Sequence, residues 1–335
     1  MKAVLVERHG GPEVLRVASR PRPNPGQGEV RITVAAAGVN FADLMARMGI
    51  YPAAPRPPFV LGYEVAGVVE SVGTGVGPEW IGRRVAANTP FGGYSEEVVV
   101  PVGALIALPD STSFQEGAAV PVSYATAWAA LVDYGNLRPG QRILVHSAGG
   151  GVGLAATQIA KQRGAEVWGA GSSVKHAALE AAGVDHPVDC SRRDWQRKLP
   201  RLDLVMDPLG GRSWRRSYRL LRPGGRLIVY GMSSMVSGER RRLRSVARVL
   251  AGAPRFPALR QMADSIAVIG INLHTLWEDR GTLEPWTAPL GDLLAEGAIT
   301  PVVAAECGFP AAPEAHRLLL ERRNVGKVVL VPAAG

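Results

Sequence analysis

A chain of 335 residues with 47% hydrophobic and 20% charged residues has the balance of a soluble globular protein, long enough for two domains of ordinary size. No run of about 18 apolar residues exists to span a bilayer, the start MKAVLVERHG lacks a signal-peptide apolar core, and Cys190 and Cys307 are too few for a disulfide framework and too far apart for a local metal motif, so a reducing, cytoplasmic setting is expected. A net charge of +9 and a sequence pI near 10.0 would attract polyanions.

The first 120 or so residues read as short strands between turn residues: Ala3 to Glu7, Val30 to Ala37, Glu64 to Val72, Arg84 to Ala87 and Glu97 to Pro101. Pro21, Pro23 and Pro25 mark an extended early loop. From Ala118 the pattern changes. Ala125 to Val132 reads as a helix, and strands then alternate with helices, which argues a parallel, doubly wound sheet.

The first of these strands, Ile143 to Val145, runs through a glycine-rich turn into a helix and then into a second strand at Val167 to Gly169. That is the order of a dinucleotide-binding βαβ unit. Ser147, Gly150 and Gly153 occupy the three positions of a G-x-x-G-x-x-G variant. The second glycine lets backbone approach a pyrophosphate and the third lets helix and strand pack closely. Free N–H groups and the positive end of the helix dipole then face the phosphates.

The end of the second strand indicates which dinucleotide. An NAD site places Asp or Glu there for the ribose 2′-hydroxyl. This chain reads Gly171, Ser172, Ser173, Val174, Lys175, with no carboxylate, and a serine pair followed by a lysine suits the 2′-phosphate of NADPH. Charge-assisted bonds of about 1.5–3 kcal/mol each favour NADPH over NADH by roughly tenfold or more.

Further strands follow at Leu204 to Met206, Leu227 to Tyr230 and Ala267 to Gly270. Between the last two lies the densest basic stretch, Glu239 to Arg248, with Arg255 and Arg260 behind it. It reads as a solvated amphipathic helix with Leu243, Val246, Ala247 and Leu250 turned inward, or as a docking site for an anionic substrate or carrier. Nucleic acid ranks last, because neither interleaved aromatics nor a nucleic-acid motif accompanies the charge. From Glu284 the tail adds a helix, a Pro-bounded loop and a last strand, Val328 to Val331, assigned back to the first domain.

The segments Gly38 to Pro52, Leu61 to Gly73, Leu144 to Ala156, Asp203 to Gly211, Leu220 to Met232 and Asn324 to Pro332 together resemble the medium-chain dehydrogenases/reductases. The match is to the zinc-free, zeta-crystallin-type quinone oxidoreductases, and most closely to their vesicle amine transport branch. The resemblance covers nearly the whole chain. It implies an α/β fold: a GroES-like β-rich catalytic domain at residues 1–122 and 274–335, and a Rossmann NADPH-binding domain with a doubly wound parallel sheet at 123–273. It places the active site in the cleft between them. A homodimer formed through the strand around Ala267 to Ile271 is also implied, and an exposed sheet edge would otherwise invite aggregation. Zinc-dependent relatives carry Cys where this chain has Asn40 and His where it has Tyr63, and four cysteines in a lobe where this chain has none between Gly82 and Leu108. No metal is therefore expected; isolated His9, His146 and His274 do not make a tetrahedral set.

Without a Lewis acid, the matching chemistry is hydride transfer from NADPH to an electron-poor quinone or α,β-unsaturated carbonyl. The resemblance implies Asn40 near the nicotinamide ribose, and Tyr51 and Tyr63 beside the substrate, where either hydroxyl could donate to a carbonyl oxygen. It implies Thr126 at the nicotinamide, Gly150, Gly151 and Val152 at the pyrophosphate, and Gly171, Ser172, Ser173 and Lys175 at the 2′-phosphate. Tyr230, Gly231 and Met232 would pass near the adenosine or ribose, Ile271, Asn272 and Leu273 near the nicotinamide amide, and Asn324 and Lys327 would close over the cofactor. Two departures stand out: Cys190 replaces a tyrosine that several quinone reductases place near the 2′-phosphate, with Arg192 or Arg193 as compensation, and the arginines from Arg240 to Arg248 exceed the pattern. Two alternatives remain open at this level. One is a pathway-specific enoyl reductase acting on a carrier-bound or polyketide-like intermediate; the other is an NADPH-binding regulatory or vesicle-associated protein with little catalysis.

Overall fold

The computed structural model describes residues 1–236, 238–240 and 242–332. Its contacts divide the chain into two units, Met1–Ala125 with Gly238–Arg241 and His274–Gly335, and Thr126–Ser237 with Arg242–Leu273.

The first unit is β-rich. Along Glu29–Val39 the residues Val30, Ile32, Val34 and Ala36 are buried in alternation, the period of a strand with one face on a core. This long strand is the hub of a seven-stranded sheet. It pairs antiparallel with Glu64–Val72, with Glu97–Pro101 and with the C-terminal strand Lys327–Val331. Val303–Gly308 then pairs parallel with Lys327–Val331, so the last 30 or so described residues complete a sheet begun by the first forty. A second sheet of three strands, Leu15–Ser19, Lys2–Val6 and Phe59–Val60, covers the same core cluster, in which Val4, Ile32, Leu44, Leu61, Val65 and Leu330 meet.

The second unit holds one six-stranded parallel sheet. In spatial order the strands are His186–Asp189, Glu166–Gly171, Arg142–His146, Leu202–Asp207, Leu221–Val229 and Ala267–Gly270. Numbered along the chain this is 3-2-1-4-5-6, the doubly wound dinucleotide-binding order. Leu202–Asp207, at the centre, is buried at every position, as a parallel strand covered on both faces must be. The order reverses between Arg142–His146 and Leu202–Asp207, and the glycine-rich turn lies just beyond the first of these.

Three sequence expectations are corrected. The helix expected at Ala125 to Val132 begins earlier, at Pro121, runs to Trp128 and continues as a π-helical turn over Ala129–Asp133; proline is tolerated in a first helical turn, where its missing N–H has no partner to lose. The strand His186–Asp189 was not anticipated. The basic helix, observed as Leu243–Gly252, does not turn its apolar residues inward: Leu243 and Leu250 are 64% and 54% exposed, Ala247 is exposed and Val246 half-buried. Arg241, inside that stretch, lies outside the described residues.

Candidate active site

In the first unit the structure brings Asn40 and Lys327 together. Asn40 closes the strand Glu29–Val39 and stands at the N-cap of the helix Phe41–Arg47. A side-chain oxygen at this position ordinarily accepts from the helix N–H groups. Here the cap is served differently: the Asp43 carboxylate accepts the Asn40 backbone N–H at 2.7 Å and the Gly62 N–H at 3.1 Å. The Asn40 side chain is thereby released. Its amide donates to Glu64 Oε1 at 2.7 Å and its oxygen accepts from Lys327 Nζ at 2.6 Å.

Lys327 is 4% exposed, and its three N–H bonds have three acceptors: Asn40, the Ser123 hydroxyl at 3.4 Å and the Glu64 carboxylate. Glu64 is fully buried, and its second oxygen accepts the Val122 N–H at 2.7 Å. Two glycines make this packing possible. A Cβ on Gly38 would lie 2.5 Å from Glu64 Oε1, and Gly326, at φ +101°, precedes Lys327 where a Cβ would meet the Val302 carbonyl at 2.4 Å. A buried ion pair survives when its remaining hydrogen-bonding capacity is met, and this one is met on both sides. Asn324 turns its amide to the Gly326 carbonyl at 2.8 Å, holding the same turn.

Tyr51 and Tyr63 lie beside each other, ring centroids 6.1 Å apart and edge to face. Phe91 packs on Tyr63 at 4.9 Å and lies 6.4 Å from the ring of His274. The Tyr63 hydroxyl is buried and has no hydrogen-bond partner among the described residues. Burial, with the Asp43 charge adding to it, pushes its pKa well above the ordinary tyrosine value, so it remains a protonated donor. Nearby Asp43 is fully buried, and desolvation raises it to about 7 despite the N–H groups it accepts.

In the second unit the glycine turn joins strand Arg142–His146 to helix Gly151–Gln162, capped by Gly150. A Cβ on Gly153 would lie 2.4 Å from the Ser147 carbonyl oxygen and 2.6 Å from that of Ala148, so only glycine fits there. Ser147 itself adopts a left-handed φ of 54°. Ala170, at the end of the neighbouring strand Glu166–Gly171, and Lys175 come to the same turn, with Ser172 and Ser173 between them in the chain. The Ala148 N–H donates to the Ala170 carbonyl at 3.1 Å, and the Lys175 side chain lies over Gly149, with its Cδ 3.3 Å from where a Cβ would stand. Val152 is in the first turn of the helix.

At the neighbouring strand ends, Ser233 N–H donates to the Pro208 carbonyl at 2.8 Å, and Gly210 packs against Met232, which sets Tyr230, Gly231 and Met232 beside the Asp207 turn. Asp207 accepts from Ser213 and Ser217, each at 2.7 Å, and Ser217 lies 2.9 Å from His146 Nε2, so His146 is a packed and hydrogen-bonded residue. Ile271 is buried, its N–H on the Val229 carbonyl at 2.9 Å, followed by Asn272 and Leu273. Thr126 is buried within its helix. Sequence reasoning missed Glu64, Ser123 and Asp43. The signal available was Glu64, a carboxylate set directly against the apolar run Val65 to Val69, where an unpaired charge is not tolerated.

Two family models match the chain, one described as "Alcohol dehydrogenase GroES-like domain" over residues 26–110 and one as "Zinc-binding dehydrogenase" over residues 182–330. The synaptic vesicle membrane protein VAT-1 homolog of Mus musculus is 37% identical over 340 residues, covering 99% of this chain and 84% of its own length. Among solved structures, the quinone oxidoreductase from Thermus thermophilus, described also in its complex with NADPH, matches with a TM-score of 0.81 and 37% identity over 99% of this chain and 100% of its own. The chain belongs to the medium-chain dehydrogenase/reductase family, in its zinc-free quinone oxidoreductase-type group. A third match, the CurK enoyl reductase, has a TM-score of 0.84 at 25% identity, covering 99% of each chain.

The zinc in the name of one family model does not fit the residues of this member. The oxygens of Asn40 and Glu64 converge on the Lys327 ammonium, which already supplies the positive charge and would repel a second cation. Among the described residues no group of three or more His, Cys, Asp or Glu side chains is placed to hold a metal ion. No helix of the described residues is long and apolar enough to cross a membrane.

Proposed function

We propose that this protein is an NADPH-dependent reductase that delivers hydride to a quinone or an α,β-unsaturated carbonyl without zinc. The observation that carries it is the Tyr63 hydroxyl: a buried donor without an acceptor among the described residues, beside Tyr51, is poised for the oxygen of a bound carbonyl. The glycine turn supports the cofactor assignment. Gly153 closes the turn tightly and the Gly150 N–H donates to the Ser147 carbonyl at 2.9 Å, leaving the first-turn N–H groups of Gly151 and Val152 for a pyrophosphate that Gly150, without a side chain, lets approach. Ser172, Ser173 and Lys175, with no carboxylate among them, support a 2′-phosphate and hence NADPH over NADH.

When bound, the cofactor supplies the hydride. The chain's residues supply the rest. Tyr63 donates to the oxygen that gains charge as hydride arrives at the acceptor, and the aromatic group of Tyr51, Phe91 and Tyr63 keeps water away from it. Lys327 and Glu64 fix Asn40, and through it the register of the helix that follows.

The test is loss of reduced-nicotinamide absorbance with purified protein against a panel of quinones and short enones, NADPH and NADH in parallel. Turnover with NADPH preferred upholds the proposal; no turnover with any acceptor sinks it. A second reading, enoyl reduction on a carrier-bound intermediate, is favoured by the likeness to an enoyl reductase and by the exposed arginines Arg242, Arg244 and Arg248. Turnover of a carrier-bound enone with none on free acceptors would select it. The outermost strand Ala267–Gly270 pairs on one side only among the described residues and supports a homodimer through that edge, which light scattering after gel filtration would report as twice the 35.4 kDa chain mass.

A further inference from the structure

The second unit carries a basic trough that starts at Cys190, Arg192 and Arg193, expected beside the cofactor 2′-phosphate, and reaches Arg216 and Arg219, which the proposed reaction does not use. It has a volume of about 610 Å³ and is lined by five arginines, Arg192, Arg193, Arg197, Arg216 and Arg219, against a single carboxylate among the described residues, Asp194. Arg192 pairs with Asp189 at 3.3 Å and Arg197 lies 3.8 Å from Asp194. The side chains of Arg193, Arg216 and Arg219 have no hydrogen bond or ion pair among the described residues. Two of these come from the helix Arg212–Leu220, sequence RSWRRSYRL, which bears four arginines and no acidic residue. Arginines three and four apart on a helix repel one another, a cost that an anion on that face removes. The trough also has an apolar component: Trp195 and Leu220 line it while packing against the core cluster of this unit.

We propose that this trough binds an organic polyphosphate of the nucleoside diphosphate class, with its flat body on Trp195 and Leu220 and its phosphates on the unpaired guanidiniums. Planar guanidinium forks match phosphate oxygens two at a time, and the volume falls in the range of small-molecule sites. The trough borders the turn proposed for the cofactor 2′-phosphate, since the Cys190 N–H donates to the Gly171 carbonyl at 3.0 Å. Phosphate is therefore a chemistry shared by two sources, a second ligand and the dinucleotide itself, and the experiment must separate them.

ADP is titrated calorimetrically into the full chain, with and without saturating NADPH, at low and at moderate salt. The comparison is with the double variant Arg216→Ala/Arg219→Ala and, should that fold poorly, with Arg216→Gln/Arg219→Gln. The expected result is ADP binding to the NADPH-saturated protein, weakened by salt, and weakened about tenfold or more in the variants while NADPH affinity and melting temperature stay unchanged. Binding of ADP that NADPH abolishes, an ADP affinity the variants do not alter, or an equal loss of NADPH affinity in the variants would overturn it. Because the titration without NADPH stands alone, failure of the chain to bind NADPH leaves this test intact.

Discussion

The Lys327 ammonium donates to the Asn40 amide oxygen at 2.6 Å, joining residues 287 positions apart in the sequence. Both also bind Glu64, so three side chains from two strands and a helix cap form one buried unit. Lys327→Met leaves Glu64 buried without its counter-charge and should cost about 3–5 kcal/mol in chemical denaturation. The double variant Lys327→Met/Glu64→Met should recover a good part of that loss. If it is no more stable than the single variant, the pair is not the source of the cost.

Tyr63→Phe separates a donor from a packing residue. The hydroxyl has no partner to lose among the described residues, so its removal should leave the melting temperature unchanged or slightly raised. Turnover on a quinone or enone should fall about tenfold or more, with NADPH affinity unaltered. Unchanged turnover would remove Tyr63 from the chemistry.

The glycine turn makes a graded prediction. Gly153→Ala drives a Cβ into two carbonyl oxygens at 2.4 and 2.6 Å, backbone atoms that cannot move aside, and should cost about 1–3 kcal/mol together with NADPH affinity. Gly149→Ala meets only the flexible Lys175 stem at 3.3 Å and should be tolerated in melting experiments. Equal effects would deny the turn its tight closure.

Asp43 should titrate near 7, which site-specific carboxyl NMR can read directly. In the unfolded chain it ionises at its ordinary value near 3.8. Between those values the folded state holds a proton that the unfolded state has released. Its contribution to stability is therefore full below about 3.8 and is lost as pH rises towards 7, by an amount on the order of 4 kcal/mol. Measured against pH, the stability difference between wild type and Asp43→Asn should move in the variant's favour across that window. A flat difference would place the titration elsewhere.

Much of the fold was legible because local pattern and burial agree. The alternation in Val30 to Ala37 and the continuous apolar runs at Ile143 to Val145 and Leu204 to Met206 became strands of the expected kinds. His186–Asp189 escaped notice because HPVD has neither alternation nor an apolar run; it holds to its neighbour by pairing and by the stack of His186 on Trp168, 4.4 Å apart. The helix Leu243–Gly252 misled in the opposite sense. Helical spacing of Leu243, Val246 and Leu250 fixes a face, but nothing in the spacing says what lies against it, and Leu243 and Leu250 meet solvent. At the candidate site the glycine turn was readable from local spacing alone. The partnership of Glu64 with Lys327 was not, since it depends on a register between strands far apart in the chain.

That register also has a bearing on the order in which the protein can be made. The second unit is drawn almost entirely from residues 126–273, so all its strands have left the ribosome while the first unit still lacks Val303–Gly308 and Lys327–Val331. Until those last strands arrive, the flank of Glu29–Val39 that they cover is open and Glu64 has no lysine. The β-rich unit is therefore the late-maturing half of the chain, and a nascent polypeptide stalled before residue 327 would present an uncovered strand to the folding machinery of the cell.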